Sequence, residues 1–112
     1  MPNQPPTKEV LEKRRQKAEA QQLMENERLC VSVLSDYARV LRSWKMQYAP
    51  QSPAEAPDER FEEACHKLDE AEYYLDILAF GDSYERAEVV NYLLVDGRLD
   101  KLKEKINGRD AA

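Results

Sequence analysis

The chain has 112 residues and a mass of 13.0 kDa, with 42% apolar and 35% charged residues, which excludes a large multi-site enzyme. Its mean hydropathy of -0.80 argues against a membrane-spanning helix, and the first six residues lack the apolar core of a secretion signal, so we expect a cytoplasmic protein. The net charge of -5 disfavours bulk affinity for nucleic acid or anionic membranes, although a local basic patch could override it.

Residue usage favours helices and offers little for chemistry. Three glycines and six prolines leave long stretches without a helix breaker. Cys30 and Cys65 are too few for a disulfide scaffold, so we expect buried free thiols. The sequence contains no Gly-rich phosphate loop and no nucleophile motif, and Cys65 with His66 falls short of a zinc ligand set. We therefore expect no cofactor and no metal.

A long first helix is predicted after a Pro-rich tail. Residues 1–7 form the tail, which we expect to be disordered, with Thr7 as the N-cap of the helix. Because neither Pro nor Gly follows until Pro50, one helix over residues 8–48 is the simplest account. Such a helix is about 60 Å long, about twice the length of the second helix, and must overhang the body.

The two halves of this helix differ in their patterning. From Cys30 to Tyr48 apolar residues recur every three or four positions, which predicts a face packed in a core. Residues 8–27 carry many charges and a thin apolar stripe. We therefore predict a helical arm over residues 8–27 and a helical bundle domain over residues 28–108.

The arm is expected to need a partner. An isolated helix of about twenty residues is marginal in water, so burial against another molecule would stabilise it. A coiled-coil dimer through Ala20, Leu23 and Cys30 is one way, although Glu27 on the same stripe weakens a strict zipper.

The rest of the chain predicts shorter helices. A Pro-rich connector over residues 49–58 turns the chain back, and Asp58 caps a second helix that stops at Gly81. A capping box over residues 82–85 opens a third helix, with Leu94 among its inward residues, that closes at Asp96 and Gly97. A last turn or two over residues 98–107 ends at Gly108 and is followed by a tail over residues 109–112. The predicted fold is all-α, a small bundle in which the long N-terminal helix forms an antiparallel hairpin with the second helix, plus one or two short C-terminal helices.

Charge is distributed unevenly along the chain. Residues 1–49 carry nine basic and six acidic groups, whereas residues 50–96 carry three and thirteen. The acidic face of the second helix could pair with the first helix, or it could imitate a phosphate backbone and bind a nucleic-acid enzyme, as inhibitors from mobile elements do. The acidic candidates for partner binding are Glu62, Glu63, Asp69 and Asp76.

A basic cluster in the arm is a candidate site for nucleic acid or anionic lipid. It consists of Lys13, Arg14, Arg15 and Lys17. Neighbouring glutamates dilute its charge, and no aromatic residue lies among these side chains for base stacking. An exposed helix with internal salt links explains the same pattern.

Two further features of the second helix are candidate functional sites. Tyr73 and Tyr74 belong to an aromatic-rich region that could bind a partner, because Tyr is favoured at interfaces. The spacing of Arg60 and His66 resembles the short Arg-to-His motif of helical HEPN-type ribonucleases, which implies RNA cleavage without metal. The intervening glutamates depart from that motif because they would repel RNA, and we interpret His66 as an exposed residue beside a core Cys65.

These patterns predict a non-enzymatic helical interaction or regulatory protein. We expect it to bind another protein and to self-associate as a homo-oligomer, without membrane contact. A nucleic-acid-associated regulator that uses the basic arm, and an acidic inhibitor of a nucleic-acid enzyme, are the alternatives.

Overall fold

The computed structural model describes residue 5 and residues 7–111, with side chains described up to residue 108. Within these residues the chain forms helices and turns and no strand, which confirms the predicted all-α bundle with a long first helix packed on the second. The helices, in chain order, are α1 (Lys8–Gln47), α2 (Glu59–Phe80), α3 (Ser83–Leu94) and α4 (Arg98–Ala111), with a 3₁₀ turn at Val95–Gly97 before α4.

Side-chain caps fix where three of the helices begin. The Thr7 hydroxyl accepts a hydrogen bond from a backbone N–H in the first turn of α1, and Asp58 does the same for α2. Asp82 and Glu85 form a reciprocal capping box, in which each side chain accepts from the other residue's backbone N–H, at 2.8 and 3.2 Å. All three caps were expected from the sequence, because capping depends on residues within one turn of each other.

Replacing Asp82 by Ala is expected to lower the free energy of unfolding by about 0.5–2 kcal/mol, because the N–H of Glu85 then loses its acceptor. Asp82→Asn is the matched control, since Asn also accepts at an N-cap and should retain most of the stability. Urea unfolding followed by circular dichroism measures both. Equal losses in the two variants would show that the charge of Asp82, and not its cap, is what matters.

α2 packs antiparallel against the C-terminal half of α1. At the connector end the Arg60 guanidinium lies 4.2 Å from the centre of the Tyr48 ring, and farther along the pair Arg42 joins Glu72 at 3.5 Å. The connector itself contains a single turn, with the N–H of Glu55 donating to the carbonyl of Ser52. The predicted hairpin is therefore present.

The buried core is contributed by all four helices. Leu34 and Leu41 of α1 are at most 1% exposed. The predicted stripe of α1 is confirmed, since Val33, Tyr37 and Val40 are buried as well. The other helices supply Leu68, Ala71, Leu78, Val89, Val90, Leu93 and Leu99.

The arm lies almost entirely outside this core. Every side chain from residue 8 to residue 25 is exposed, and the molecule measures 81 × 31 × 21 Å along its principal axes. Asn26 and Glu27 are half-buried, and the Glu27 carboxylate meets the Arg86 guanidinium of α3 at 2.9 Å. Arg86 also donates to the carbonyl of Gly81 at 2.8 Å, so it links the base of the arm to the α2–α3 turn.

Two tight turns depend on the residues that were predicted to stop helices. A Cβ at Gly81 would lie 2.6 Å from the carbonyl oxygen of Ile77, so glycine is required by close approach. Asp96 and Gly97 both have positive φ, at 56° and 67°, a conformation that Gly and Asp adopt more readily than other residues.

Several expectations about individual residues are wrong. Cys65 is half-buried instead of buried, and Leu94 is exposed because α3 turns Val89, Val90 and Leu93 inward, a face that lies about 100° away from it. α4 does not stop at Gly108 but continues to Ala111, since one glycine costs a helix only about 1 kcal/mol and no proline follows.

Candidate interaction surfaces

The outer side of α2 carries a regular pattern of carboxylates and rings. We call it the acidic–aromatic face, and it consists of Glu62, His66, Asp69, Tyr73, Asp76 and Phe80. These positions alternate spacings of four and three, so they share one side of the helix. All six are exposed, and the buried residues of α2 lie on its other side.

Two large rings on this face stand in solvent. Tyr73 is 62% exposed and Phe80 is 87% exposed. Single exposed apolar residues are common in soluble proteins, but rings that repeat every seven residues beside carboxylates form a continuous stripe. Such a stripe can bury its rings against a helix whose flanking side chains are basic.

The arm and the next helical turn of α1 present a face of the opposite charge. We call it the basic–apolar face, and it consists of Val10, Lys13, Arg14, Lys17, Met24, Arg28 and Val31, all exposed. Val10, Lys17, Met24 and Val31 repeat every seven residues. At its C-terminal end a shallow depression of about 400 Å³ is lined by Met24, Arg28 and Val31 together with Glu27 and Ser32.

In the structure, the four residues of the predicted basic cluster lie on two different sides of the arm. Lys13, Arg14 and Lys17 belong to the basic–apolar face, whereas Arg15 lies on the other side of the arm. There it pairs with Glu12 and Glu19 within its own helix. Arg15 is therefore already neutralised along the helix.

The acidic and aromatic residues of α2 that were predicted to bind a partner also lie on different sides of their helix. Glu62, Asp69, Asp76 and Tyr73 lie on the acidic–aromatic face. Glu63 instead pairs with Lys67 at 2.9 Å, and this ammonium lowers the pKa of the Glu63 carboxyl. Tyr74 is half-buried, and its ring centre lies 5.6 Å from that of Tyr92.

Tyr74 leads into a groove where all four helices meet. We call it the tyrosine–lysine groove. Its cavity has a volume of about 220 Å³, and its floor is apolar. Its polar lining consists of Tyr37, Lys67, Glu70, Tyr74, Tyr92, Arg98, Lys101 and Lys105. This groove was not predicted from the sequence, although Arg98, Lys101 and Lys105 share one side of α4 at spacings of three and four.

Aromatic and charged contacts organise one wall of the groove. The Arg98 guanidinium lies 4.3 Å from the centre of the Tyr92 ring and donates to the Tyr92 carbonyl at 3.1 Å. The Tyr74 hydroxyl donates to Glu70 at 3.3 Å. Burial, together with Tyr92 and Glu70, raises the pKa of Tyr74 above its ordinary value.

The opposite wall brings two ammonium groups together. Lys105 lies beside Lys67, and partial desolvation of its ammonium group together with this second positive charge lowers the pKa of Lys105. The pKa of Lys67 is raised, chiefly by its hydrogen bond with Glu63. The positive charge at this wall is thus only partly compensated.

The residues of the Arg-to-His motif lie apart. Arg60 is held by Asp58 at 2.8 Å and by the Tyr48 ring on the side of α2 that meets α1. His66 is exposed on the acidic–aromatic face, as expected from the sequence. The two side chains therefore do not share a site within one chain.

The cysteine at the base of the arm cannot take part in a coiled-coil seam. Cys30 is 0% exposed and packs in the bundle core, and burial raises the pKa of its thiol. The expected dimer contact through Cys30 is wrong, because the bundle already covers this part of the stripe. Ala20 and Leu23 remain exposed.

Neither a metal cluster nor a membrane span was found in the part of the chain that the structure describes. No group of three or more His, Cys, Asp or Glu side chains there is placed to hold a metal ion. No helix among those residues is long and apolar enough to cross a bilayer. Comparisons with protein-family models, curated proteins and solved structures found no match to this chain.

Proposed function

We propose that this chain is a non-enzymatic interaction protein that acts by binding another protein and that self-associates. The observation that supports the proposal is the pair of exposed helical faces with opposite charge, the basic–apolar face of α1 and the acidic–aromatic face of α2. The proposed partner is a second copy of the chain, because every copy carries both complementary faces.

The two faces match in charge and repeat. The basic residues of the basic–apolar face lie between Lys13 and Arg28, about 22 Å apart, and the carboxylates of the acidic–aromatic face lie between Glu62 and Asp76, about 21 Å apart, so the opposite charges of the two faces can meet over the same length. Both faces have a seven-residue repeat, which is the spacing of paired helices. It consists of Val10, Lys17, Met24 and Val31 on the arm and of His66, Tyr73 and Phe80 on α2. Complementary charge of this kind selects partner and register and speeds association.

The two faces also match in length. At about 1.5 Å per residue, the positions from Val10 to Val31 span about 32 Å and those from Glu62 to Phe80 about 27 Å. An arm laid along α2 of another copy would bury Met24 and Val31 against exposed rings. That burial would supply the tertiary contacts that a thinly apolar helix lacks alone.

Light scattering coupled to size exclusion tests the proposal on the full chain. At low salt the mass is expected to rise above 13.0 kDa as the protein concentration is raised, and to return to 13.0 kDa at about 0.5 M salt, where exposed charges are screened. A mass of 13.0 kDa at every concentration and salt would refute self-association.

The alternative function, a nucleic-acid-associated regulator, is supported by the arrangement of charges on the arm. Lys13, Arg14 and Lys17 share one exposed side of the arm, which is also how a basic helix meets a phosphate backbone. Binding of nucleic acid that weakens steeply with salt, by a chain that stays monomeric, would favour the nucleic-acid-associated regulator instead.

A further inference from the structure

The tyrosine–lysine groove concentrates positive charge in an acidic protein. Its lining includes four cationic side chains and one carboxylate, in a chain of net charge -5. The carboxylate, Glu70, accepts a hydrogen bond from Tyr74. The groove is formed by all four helices, with its lysines contributed by α2 and α4, and none of its lining residues belongs to the acidic–aromatic or the basic–apolar face.

The polar groups of the groove are suited to an anion. Lysine ammonium groups are compact donors for phosphate, and hydrogen bonds between ions are the strongest that side chains make. Lys67 and Lys105 lie side by side, so a bound dianion would offset the repulsion between them. Arg98 already donates to the Tyr92 carbonyl and Lys67 pairs with Glu63 at 2.9 Å, which leaves Lys101 and Lys105 as the principal donors.

The apolar part of the groove adds a second requirement. Leu34, Ala71, Leu93 and Leu102 line the cavity beneath the charged rim. A bare ion leaves this floor uncovered, whereas a phosphate attached to a small organic group covers it. We propose that the tyrosine–lysine groove binds a small phosphate monoester, with the phosphate at the lysines and the organic group on the apolar floor.

The volume limits the size of the ligand. A cavity of about 220 Å³ is smaller than the roughly 300–1,000 Å³ of sites for drug-sized molecules. It corresponds to about seven waters at their share of liquid volume. The size of this groove therefore favours a phosphate with one small ring over a dinucleotide.

Calorimetric titration of the full chain at constant ionic strength tests the proposal with phenyl phosphate, inorganic phosphate and phenol. Phenyl phosphate is expected to bind more tightly than inorganic phosphate, and phenol is expected not to bind. The double variant Lys101→Gln, Lys105→Gln is expected to bind phenyl phosphate at least about ten-fold more weakly, because two charge-assisted donors are lost. Both lysines are exposed, so circular dichroism should show an unchanged fold.

The matched control is Lys8→Gln, Lys45→Gln, which removes two exposed lysines of α1 that lie outside the groove and outside both faces. It is expected to bind phenyl phosphate like the unmodified chain, whether or not the chain self-associates. Equal weakening in the two double variants would show nonspecific charge attraction and overturn the proposal. Absence of phenyl phosphate binding, or equal binding of phenol, would overturn it as well.

Discussion

Replacing Leu34 by Ala is expected to lower the free energy of unfolding by about 2–5 kcal/mol, because the change opens a cavity among residues from several helices. Leu34 is 1% exposed and belongs to the core cluster. A loss of this size is a large part of the total stability of a small domain. Urea unfolding at low protein concentration and high salt measures it without a contribution from association.

Leu23→Ala is the matched control for this prediction. It makes the same substitution in the same helix, at a side chain that is 48% exposed in the arm, and it should change the free energy of unfolding by less than about 0.5 kcal/mol. Comparable losses at Leu23 and Leu34 would show that the arm is packed in the folded monomer. That result would contradict the division of α1 into a core half and an exposed arm.

Reversing the charge of Lys13, Arg14 and Lys17 to Glu is expected to raise the dissociation constant for self-association at least about ten-fold, or about 1.4 kcal/mol. The acidic arm would then repel the carboxylates of the acidic–aromatic face instead of attracting them. Sedimentation equilibrium at low salt gives the constant.

A control with the same change in net charge separates this face from overall charge. Reversing Lys8, Arg39 and Lys45 also turns three exposed basic residues of α1 into Glu, away from the proposed contact. This control variant should self-associate almost as the unmodified chain does. Equal weakening in both triple variants would mean that net charge alone governs association, and the proposed contact would be wrong.

The caps, helix boundaries and core stripes could be predicted from the sequence because each depends on neighbours in the chain. Thr7, Asp58 and Asp82 cap groups within one turn, and the spacing of apolar residues identified the buried side of α1. The acidic–aromatic face could also have been predicted from the sequence, since its rings and carboxylates repeat every seven residues.

Other features depend on contacts between residues that are far apart in the sequence, and local sequence patterns do not predict such contacts. The pair of Glu27 and Arg86 joins residues 59 positions apart, so the compensation of the Glu27 charge could not be predicted from local sequence patterns. The tyrosine–lysine groove brings together Tyr37, Lys67 and Lys101 from three helices. Its assembly follows from how α4 packs against α1 and α2, which no single helix determines.

Mixing two charge-reversed variants tests whether the arm of one copy contacts α2 of another. One carries Glu at positions 13, 14 and 17, and the other carries Lys at positions 62, 69 and 76. Alone, each is expected to remain near 13.0 kDa in light scattering at low salt, because its two faces have the same sign. Mixed in equal amounts they should associate, since each arm then meets an oppositely charged α2. A mixture that stays near 13.0 kDa while the unmodified chain associates would contradict this contact.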